Sequence, residues 1–570
     1  MGNQIIMQDT PSNSNTTFDA IVIGSGISGG WAAKELCQKG LKTIVLERGR
    51  DVVHIRDYPT ANLNPWDFNN GLHHTKTDMD QNPVQSFVSD AGDQHFYASD
   101  SDHPYQQEKS FNWIRGYQVG GRSLVWGRQC YRLSDLDFEA NLKDGHGVDW
   151  PIRYKDLAPW YDYVEEFIGV SGQKENLSQL PDGKFLPPME LNCIENHLKL
   201  SVQKNSDKVL TIARVANLTK GWDGRGPCQN RNLCTRGCPF GGYFSSNSST
   251  LPAAEATGNL TLRPNSIVKE IIYDDELKKA TGVVVIDTLT HEVFTFYAKI
   301  IFLNASTIAS AAILLNSKSE RFPNGLGNDS LQIGHNLMDH HSSAGAYGVH
   351  TGYLDKYYKG RRPAGFLIPR YRNLKNEKSE LPFLRGYNLQ GHGERQEWQD
   401  RSYNLPGFGK DFKEQLTKPG PWTVWMGGWG ECLPYYDNQV NLDYTKLDQW
   451  GLPTVNINFA FKENEAAMME DIKETAGKIL KDAGFINIET FNYHKPGGST
   501  VHEMGTVRMG RNPKTSVLNQ FNQMHEVKNV FITDGSCMTS SSCQNPSLTY
   551  MALTARACDF AIKSIKNYPM

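Results

Sequence analysis

Apolar positions at the start of the chain fall into a run of strand type, Asp19-Ala20-Ile21-Val22-Ile23, which breaks at Gly24. A helix-like stretch, Trp31 to Lys39, follows, and then a second strand-like run, Lys42 to Leu46, closed by Glu47. This is the pattern of a strand–helix–strand unit. Further along, 155–168 has helical spacing. Three β-branched runs, Ser266 to Tyr273, Thr281 to Ile286 and Val293 to Tyr297, read as a meander. A strand at 299–303 then enters the small-residue turn Asn304-Ala305-Ser306 and a helix ending near Leu315. Segment 340–495 changes character. It is rich in Trp, Tyr, Gly and Pro, with strand-like pieces at 422–425, 439–442 and 454–459, and predicts an antiparallel sheet with one face over a cofactor. An amphipathic helix at 463–483 follows. The end of the chain returns to strand, 529–533, and a last helix, 548–564, opened by Asn545-Pro546.

The class expected is α/β: a Rossmann-like dinucleotide domain built from discontinuous segments, with an α+β substrate domain carrying the antiparallel sheet. The segments assigned to the first are 18–50, 111–150, 227–339 and 496–570; those assigned to the second are 151–226 and 340–495. Residues 1–17 are polar and read as disordered. Segment 51–110 lacks periodicity and reads as an excursion, either a lid or subunit contact or a solvated loop.

At 570 residues the chain is long enough for more than one domain, and its net charge of −3 carries no footprint of nucleic acid or an anionic membrane. The longest apolar stretch, Ile300 to Leu315, contains Asn304, Ser306, Thr307 and Ser310 and is too short and polar to span a bilayer. No secretory pattern opens the chain. A soluble protein is expected, cytoplasmic or exported with a partner that carries the signal.

The glycines set the first chemistry. Gly24, Gly26 and Gly29 stand at G-x-G-x-x-G spacing, with Ser25, Ile27 and Ser28 between them. Gly24 allows a tight turn, Gly26 lets backbone approach a pyrophosphate, and Gly29 lets helix and strand pack closely. The helix N-terminus presents free N–H groups to phosphate, and Glu47 stands where a ribose hydroxyl is gripped. A second Gly-rich loop, Val119-Gly120-Gly121-Arg122-Ser123, suits close approach to a large cofactor. His502 sits in a Gly-rich stretch after Gly497-Gly498 and has the chemistry of a base near neutral pH. Three histidines, His335, His340 and His341, fall in one short segment; either a metal site or a hinge between domains fits them.

These blocks, with His502-Glu503-Met504-Gly505-Thr506 and Asp534-Gly535 through Asn545-Pro546, resemble the glucose–methanol–choline (GMC) oxidoreductases. The motifs occur in that family's order. Within it the chain looks closest to sugar-oxidising members, the pyranose oxidases and the glucose and gluconate dehydrogenase large subunits. The resemblance implies FAD, held by residues 24–29, Glu47, Arg48, Gly120, Gly121, Ser123, Val268, Asp534, Gly535, Asn545 and Pro546. It also implies oxidation of an alcohol with His502 as base and Asn545 on the same substrate oxygen. In the pyranose oxidases a histidine before a tryptophan is joined covalently to flavin. Here that position is Val125, before Trp126, so noncovalent FAD is expected. Pro546 would open a helix aimed at the flavin pyrimidine end.

Cys228, Cys234 and Cys238 stand at C-x5-C-x3-C spacing before Pro239, with Arg225, Arg231 and Arg236 around them. Three thiolates can hold a [3Fe–4S] cluster, while zinc wants a fourth ligand and none is adjacent. A disulfide or structural thiols remain as alternatives. The spacing resembles the iron–sulfur loop of the glucose dehydrogenase large subunits, which pair with a small subunit and often a haem subunit.

Together these point to an FAD sugar dehydrogenase that oxidises a pyranose or glycoside secondary alcohol to a keto-sugar and passes electrons to a protein acceptor. A sugar oxidase using dioxygen, with structural cysteines, is the first alternative. A catalytically silent flavin-binding assembly subunit is the second. Trp425, Tyr435 and Tyr436 are candidate faces for stacking on a sugar.

Overall fold

The computed structural model describes residues 16–357, 360, 362–374, 380–398, 401–402 and 405–565. Strand Thr16–Ile23 is central in a seven-stranded sheet. It pairs in parallel with Thr43–Leu46 on one side and with Val293–Leu303 on the other. Leu260–Arg263 extends the parallel part beyond Thr43–Leu46. Thr16 and Thr17 already pair with Phe296 and Tyr297, so order begins inside the segment expected to be disordered. Two β-branched threonines lie beside a long neighbouring strand and suit pairing. Residues 1–15 lie outside the described ones.

The runs 293–297 and 299–303, which read as two strands, are one. The first half of Val293–Leu303 pairs antiparallel with Lys279–Asp287, and its second half pairs in parallel with Val530–Ile532. The change of partner mid-strand leaves no mark in the local pattern, because Ala298 and Lys299 keep strand geometry. Helix Ile27–Gln38 packs against the sheet and against helix Ser547–Ser564. Trp31 on it is fully buried, with Tyr163 and Phe167 of helix Tyr154–Ile168 edge-on at 5.7 and 5.2 Å.

A second sheet has six strands, antiparallel throughout, in the order Ile486–Asn492, Ala344–His350, Trp422–Gly430, Tyr387–Arg395, Phe366–Ile368 and Thr211–Ile212. Helices Glu463–Asp482 and Cys193–Asn205 supply its core through Met468, Ile472 and Leu198 against Trp422, Val424 and Met426. The strands at 439–447 and 453–458 do not join it, contrary to the sequence expectation. Gln439–Leu447 and Pro453–Asn458 form a separate sheet with Gln106–Gln107 from the excursion. That excursion is no free surface loop: Tyr58, Ala61 and Phe96 are buried with Val52 and Leu124.

Among the described residues no helix is long and apolar enough to cross a membrane.

Candidate active site

The first turn closes as its glycines require. Gly24 has φ +93°, and a side chain there would stand 2.4 Å from the Asn304 carbonyl oxygen. At Gly29 a Cβ would meet the Gly24 oxygen at 1.9 Å. At Gly26 a Cβ would meet nothing within 4 Å, because that position faces a cleft. Gly26 caps helix Ile27–Gln38 without a side-chain bond, so the first N–H groups of the helix are available to a ligand.

Glu47 is buried and accepts from the Ser25 amide at 3.0 Å, the Ser25 hydroxyl at 2.5 Å and the Gly49 amide at 3.0 Å. Burial pushes its carboxyl above the usual range. The second loop supports the turn, and its Gly121 and Ser123 line the cleft. The Gly120 amide donates to Ser25 Oγ at 2.9 Å, and the Ser123 hydroxyl donates to the Gly120 carbonyl at 2.6 Å. Gly120, at φ +88°, is required by Asn247, whose Oδ1 would lie 1.7 Å from a Cβ.

The cleft has a volume of about 510 Å³. It runs from residues 23–28, Glu47 and Arg48 past Val268 and Asp534-Gly535 to His502, Asn545 and Pro546. Its walls include Tyr97 and His103 of the excursion, Leu442 and Val455 of the small sheet, and Asp448 of the turn between those two strands. Arg48 is held over the rings of Tyr117 and Trp450, 4.8 and 5.1 Å away. Asp534 is buried and engaged with Ser310 and Ser536, so it fixes the strand end. Pro546 proves to be the cap of the last helix, whose first residue is Ser547. An open glycine, free helix N–H groups and a buried acid at one end of a long cleft suit a dinucleotide such as FAD.

At the other end His502 and Asn545 meet: Asn545 Nδ2 lies 3.4 Å from His502 Nε2. Asn545 Oδ1 accepts from Gln390 Nε2 at 2.8 Å, and Gln390 Oε1 accepts from Gln129 Nε2 at 2.5 Å. On its far side His502 Nδ1 faces His340 Nδ1 at 2.9 Å, and His340 Nε2 lies 2.8 Å from the Ser542 carbonyl oxygen. The backbone of the His502 loop is tied to buried Asp339. That carboxylate accepts from the Gly498 amide at 2.8 Å, the His502 amide at 3.2 Å and the Thr500 hydroxyl. Burial, with Glu503 adding to it, pushes Asp339 up to about 7. Burial holds His340 down to about 4, and burial with the fields of His340 and Arg122 holds His502 well below the usual histidine range.

Carbonyl chemistry fixes the protons in this chain. The Ser542 oxygen can only accept, so His340 Nε2 carries hydrogen. His340 is neutral, so its Nδ1 is an acceptor, and His502 Nδ1 must donate. The His502 Nε2 lone pair is then left facing Asn545 and the cleft.

Other expectations place differently. Among the described residues no three His, Cys, Asp or Glu groups are gathered to hold a metal ion. His335 stacks on Tyr436 at 3.9 Å, and His341 lies edge-on to Phe461 at 5.9 Å, so the three histidines go separate ways. Trp425, Tyr435 and Tyr436 do not line the cleft. Trp425 packs among Trp429 and Phe491, and Tyr435 bonds Glu465 at 3.1 Å. The aromatics on the cleft wall are Tyr97, Trp113, Tyr117, Trp126 and Tyr550.

The three loop thiols are free and half-buried. Backbone amides donate to two of them, Asn230 to Cys228 at 3.4 Å and Gly242 to Cys238 at 3.3 Å. The arginines expected to favour thiolate are turned elsewhere. Arg225, Arg231 and Arg236 donate to the carbonyls of Ile168, Ala61 and Leu63. Burial accordingly pushes the Cys228 thiol up. Thr235, between Cys234 and Arg236, lines the cleft.

Two family models described as GMC oxidoreductase match residues 18–342 and 434–554. The 2-methyl-1,2-propanediol dehydrogenase of Mycolicibacterium austroafricanum is 28% identical, over 95% of this chain and 94% of that protein. The fructose dehydrogenase large subunit of Gluconobacter japonicus is 24% identical, over 98% of this chain and 100% of that one. In structure, a formate oxidase of Aspergillus oryzae RIB40 shares the fold, with a TM-score of 0.62 at 14% identity over 98% of this chain and 100% of that chain.

Proposed function

The chain belongs to the GMC oxidoreductases, FAD-dependent enzymes acting on CH–OH groups, and on that premise we propose that it is a sugar dehydrogenase. Its substrate is a pyranose or glycoside whose secondary alcohol becomes a ketone. The observation that carries this reading is the His502–Asn545 pair at one end of the cleft whose other end holds the glycine turn and Glu47.

FAD bound in the cleft would supply the hydride acceptor. Residues 24–29, Glu47, Arg48 and Val268 would hold it, without a covalent bond, because the position of the linking histidine in the pyranose oxidases is Val125 here. The protein supplies the rest. His502 Nε2 takes the hydroxyl proton, and the electron pair left on oxygen forms the carbonyl as the C–H bond breaks and hydride leaves the carbon. Asn545 Nδ2 donates toward the same oxygen and orients it. Gln390 holds the Asn545 amide in the donating orientation, and His340 holds the His502 tautomer. The resulting imidazolium keeps its Nδ1–H on His340, and the positive end of the last helix at Pro546 favours negative charge nearby.

Electrons leave to a protein acceptor. The all-thiol donor set of Cys228, Cys234 and Cys238 is chemically suited to a [3Fe–4S] cluster. The three thiols are free, and backbone amides donate to two of them, but among the described residues they are not gathered into one site. A small subunit and a haem protein are the partners this reading implies.

The test is anaerobic reduction of the bound flavin by a panel of pyranoses and glycosides, with the product identified by NMR. Flavin bleaching with formation of a keto-sugar is expected. A flavin that no sugar reduces would overturn the reading.

A further inference from the structure

Two neighbouring carbonyls of one turn end two hydrogen-bond chains that meet at the His502–Asn545 pair. Ser542 takes a left-handed backbone, φ +55°, and its hydroxyl accepts from the Gln544 amide at 2.9 Å. The Ser542 carbonyl meets His340, which sets the proton of His502. The next carbonyl, that of Cys543, accepts from Asn388 Nδ2. Asn388 is fully buried on strand Tyr387–Arg395, two residues from Gln390 and so on the same face of that strand. Asn388 Oδ1 accepts from Gln390 Nε2 at 3.1 Å, and the same nitrogen donates to Asn545 Oδ1 at 2.8 Å.

A chain of amides is reversible by itself. An amide turned by half a circle exchanges its donor for its acceptor, and a hydroxyl both donates and accepts. Asn545, Gln390 and Gln129 can turn over together, because the chain ends beyond Gln129 on the Tyr131 hydroxyl, which fits either sense. A carbonyl oxygen cannot reverse. Cys543 obliges Asn388 to present Nδ2, so Asn388 offers only Oδ1 to Gln390. Gln390 must then donate to Asn545, and Asn545 keeps its N–H groups for His502 and the cleft. The contact with His502 is long at 3.4 Å and holds that sense weakly. Turned over, Asn545 would set an oxygen against the bare His502 Nε2 and compete for the hydroxyl proton that the base must take. We infer that Asn388 is a positioning residue for the reaction: it reads the Cys543 carbonyl and, through Gln390, keeps Asn545 donating toward the substrate oxygen. Asn388 is not on the cleft wall and acts only through these amides. The inference rests on the roles given to His502 and Asn545.

The experiment has two readouts on the FAD-loaded enzyme. Neutron diffraction from deuterated crystals of wild type and Asn388→Leu locates the deuterons on Asn388, Gln390 and Asn545 without any turnover. Anaerobic stopped-flow reduction of the flavin follows the chemistry, with D-glucose, D-galactose and their methyl glycosides as probes. In the wild type the deuterons should lie on Asn388 toward Cys543, on Gln390 toward Asn545 and on Asn545 toward His502. Asn388→Leu should show Gln390 and Asn545 turned over or in both senses, keep its FAD, and be reduced about fivefold more slowly, the usual worth of one hydrogen bond. Asn388→Asp still accepts from Gln390 and should recover most of that loss. On an Asn545→Ala background Asn388→Leu should cost nothing more, because its effect passes through that amide. Wild-type deuterons in the opposite sense would overturn the inference. So would a leucine variant with unturned amides, an aspartate variant as slow as the leucine one, or an equal cost of Asn388→Leu with and without Asn545. If no probe reduces the wild-type flavin while the deuterons lie as expected and turn over in Asn388→Leu, the positioning role stands and the sugar reading fails instead.

Discussion

Replacing His340 by leucine tests the proton bookkeeping at the site. Leucine fills the buried space but cannot accept, so His502 Nδ1–H loses its only partner among the described residues. A buried donor left unsatisfied costs about 1–3 kcal/mol. The imidazole escapes that cost by moving its proton to Nε2, the atom that must be bare to act as base. There it meets Asn545 Nδ2, itself a donor, whose amide is held in place by Gln390. Either tautomer then leaves a donor unsatisfied, so the competent one loses its preference by at most about the same free energy, a fall of up to about 150-fold in rate at 1.36 kcal/mol per tenfold. Stopped-flow flavin reduction under anaerobic conditions reads this step without the acceptor. His340→Asn keeps an acceptor near the Nδ1 position, although it gives up the bond to Ser542, and should recover most of the loss. FAD content should be unchanged in both variants. Reduction by His340→Leu within about twofold of wild type, or an asparagine variant as slow as the leucine one, would refute the tautomer account.

Three further outcomes are expected. Flavin reduction should fall on an acid limb near pH 4. There protonation turns the His340 Nδ1 acceptor into a donor, so activity is present above that pKa, held down to about 4, and lost below it; a rate unchanged down through pH 4 would contradict the assignment. Gly26→Ala should fold with an unchanged apoprotein melting temperature and lose FAD affinity, because its Cβ enters only the cleft. Gly24→Ala, with a Cβ 2.4 Å from the Asn304 oxygen at φ +93°, should lower apoprotein stability as well; equal behaviour of the two variants would refute the placement of the cofactor. Anaerobically prepared protein should carry about three irons per chain, and Cys234→Ser should reduce its flavin normally while failing to pass electrons on; iron-free wild type turning over with dioxygen would make the enzyme an oxidase.

The dinucleotide end was legible because its signals are local. Strand, three glycines, helix, strand and acid occupy one short stretch; Gly24 and Gly29 sit in the structure for the reasons their spacing gives, while Glu47 is engaged with Ser25 and the Gly49 amide. His502 and Asn545 were found through contiguous motifs. The groups that hold them were not. His340 lies 162 residues from His502 in sequence, and its segment offered a metal site or a hinge instead. Gln390 and Gln129 are ordinary polar residues until a strand crossing of the six-stranded sheet brings Gln390 to Asn545, 155 residues away. The small sheet was misassigned for the same reason. Alternating residues at 439–442 and 454–459 announce strands but not the partner, which is Gln106–Gln107 of the excursion.

The central claim is that His502 takes the substrate proton while hydride leaves the carbon. It is tested most directly by comparing the anaerobic half-reaction of wild type and His502→Ala with a sugar that reduces the wild-type flavin. The variant is expected to retain FAD and to be reduced at least about 100-fold more slowly, the contribution of a positioned base. A variant that binds FAD and is reduced at a near wild-type rate would contradict the account.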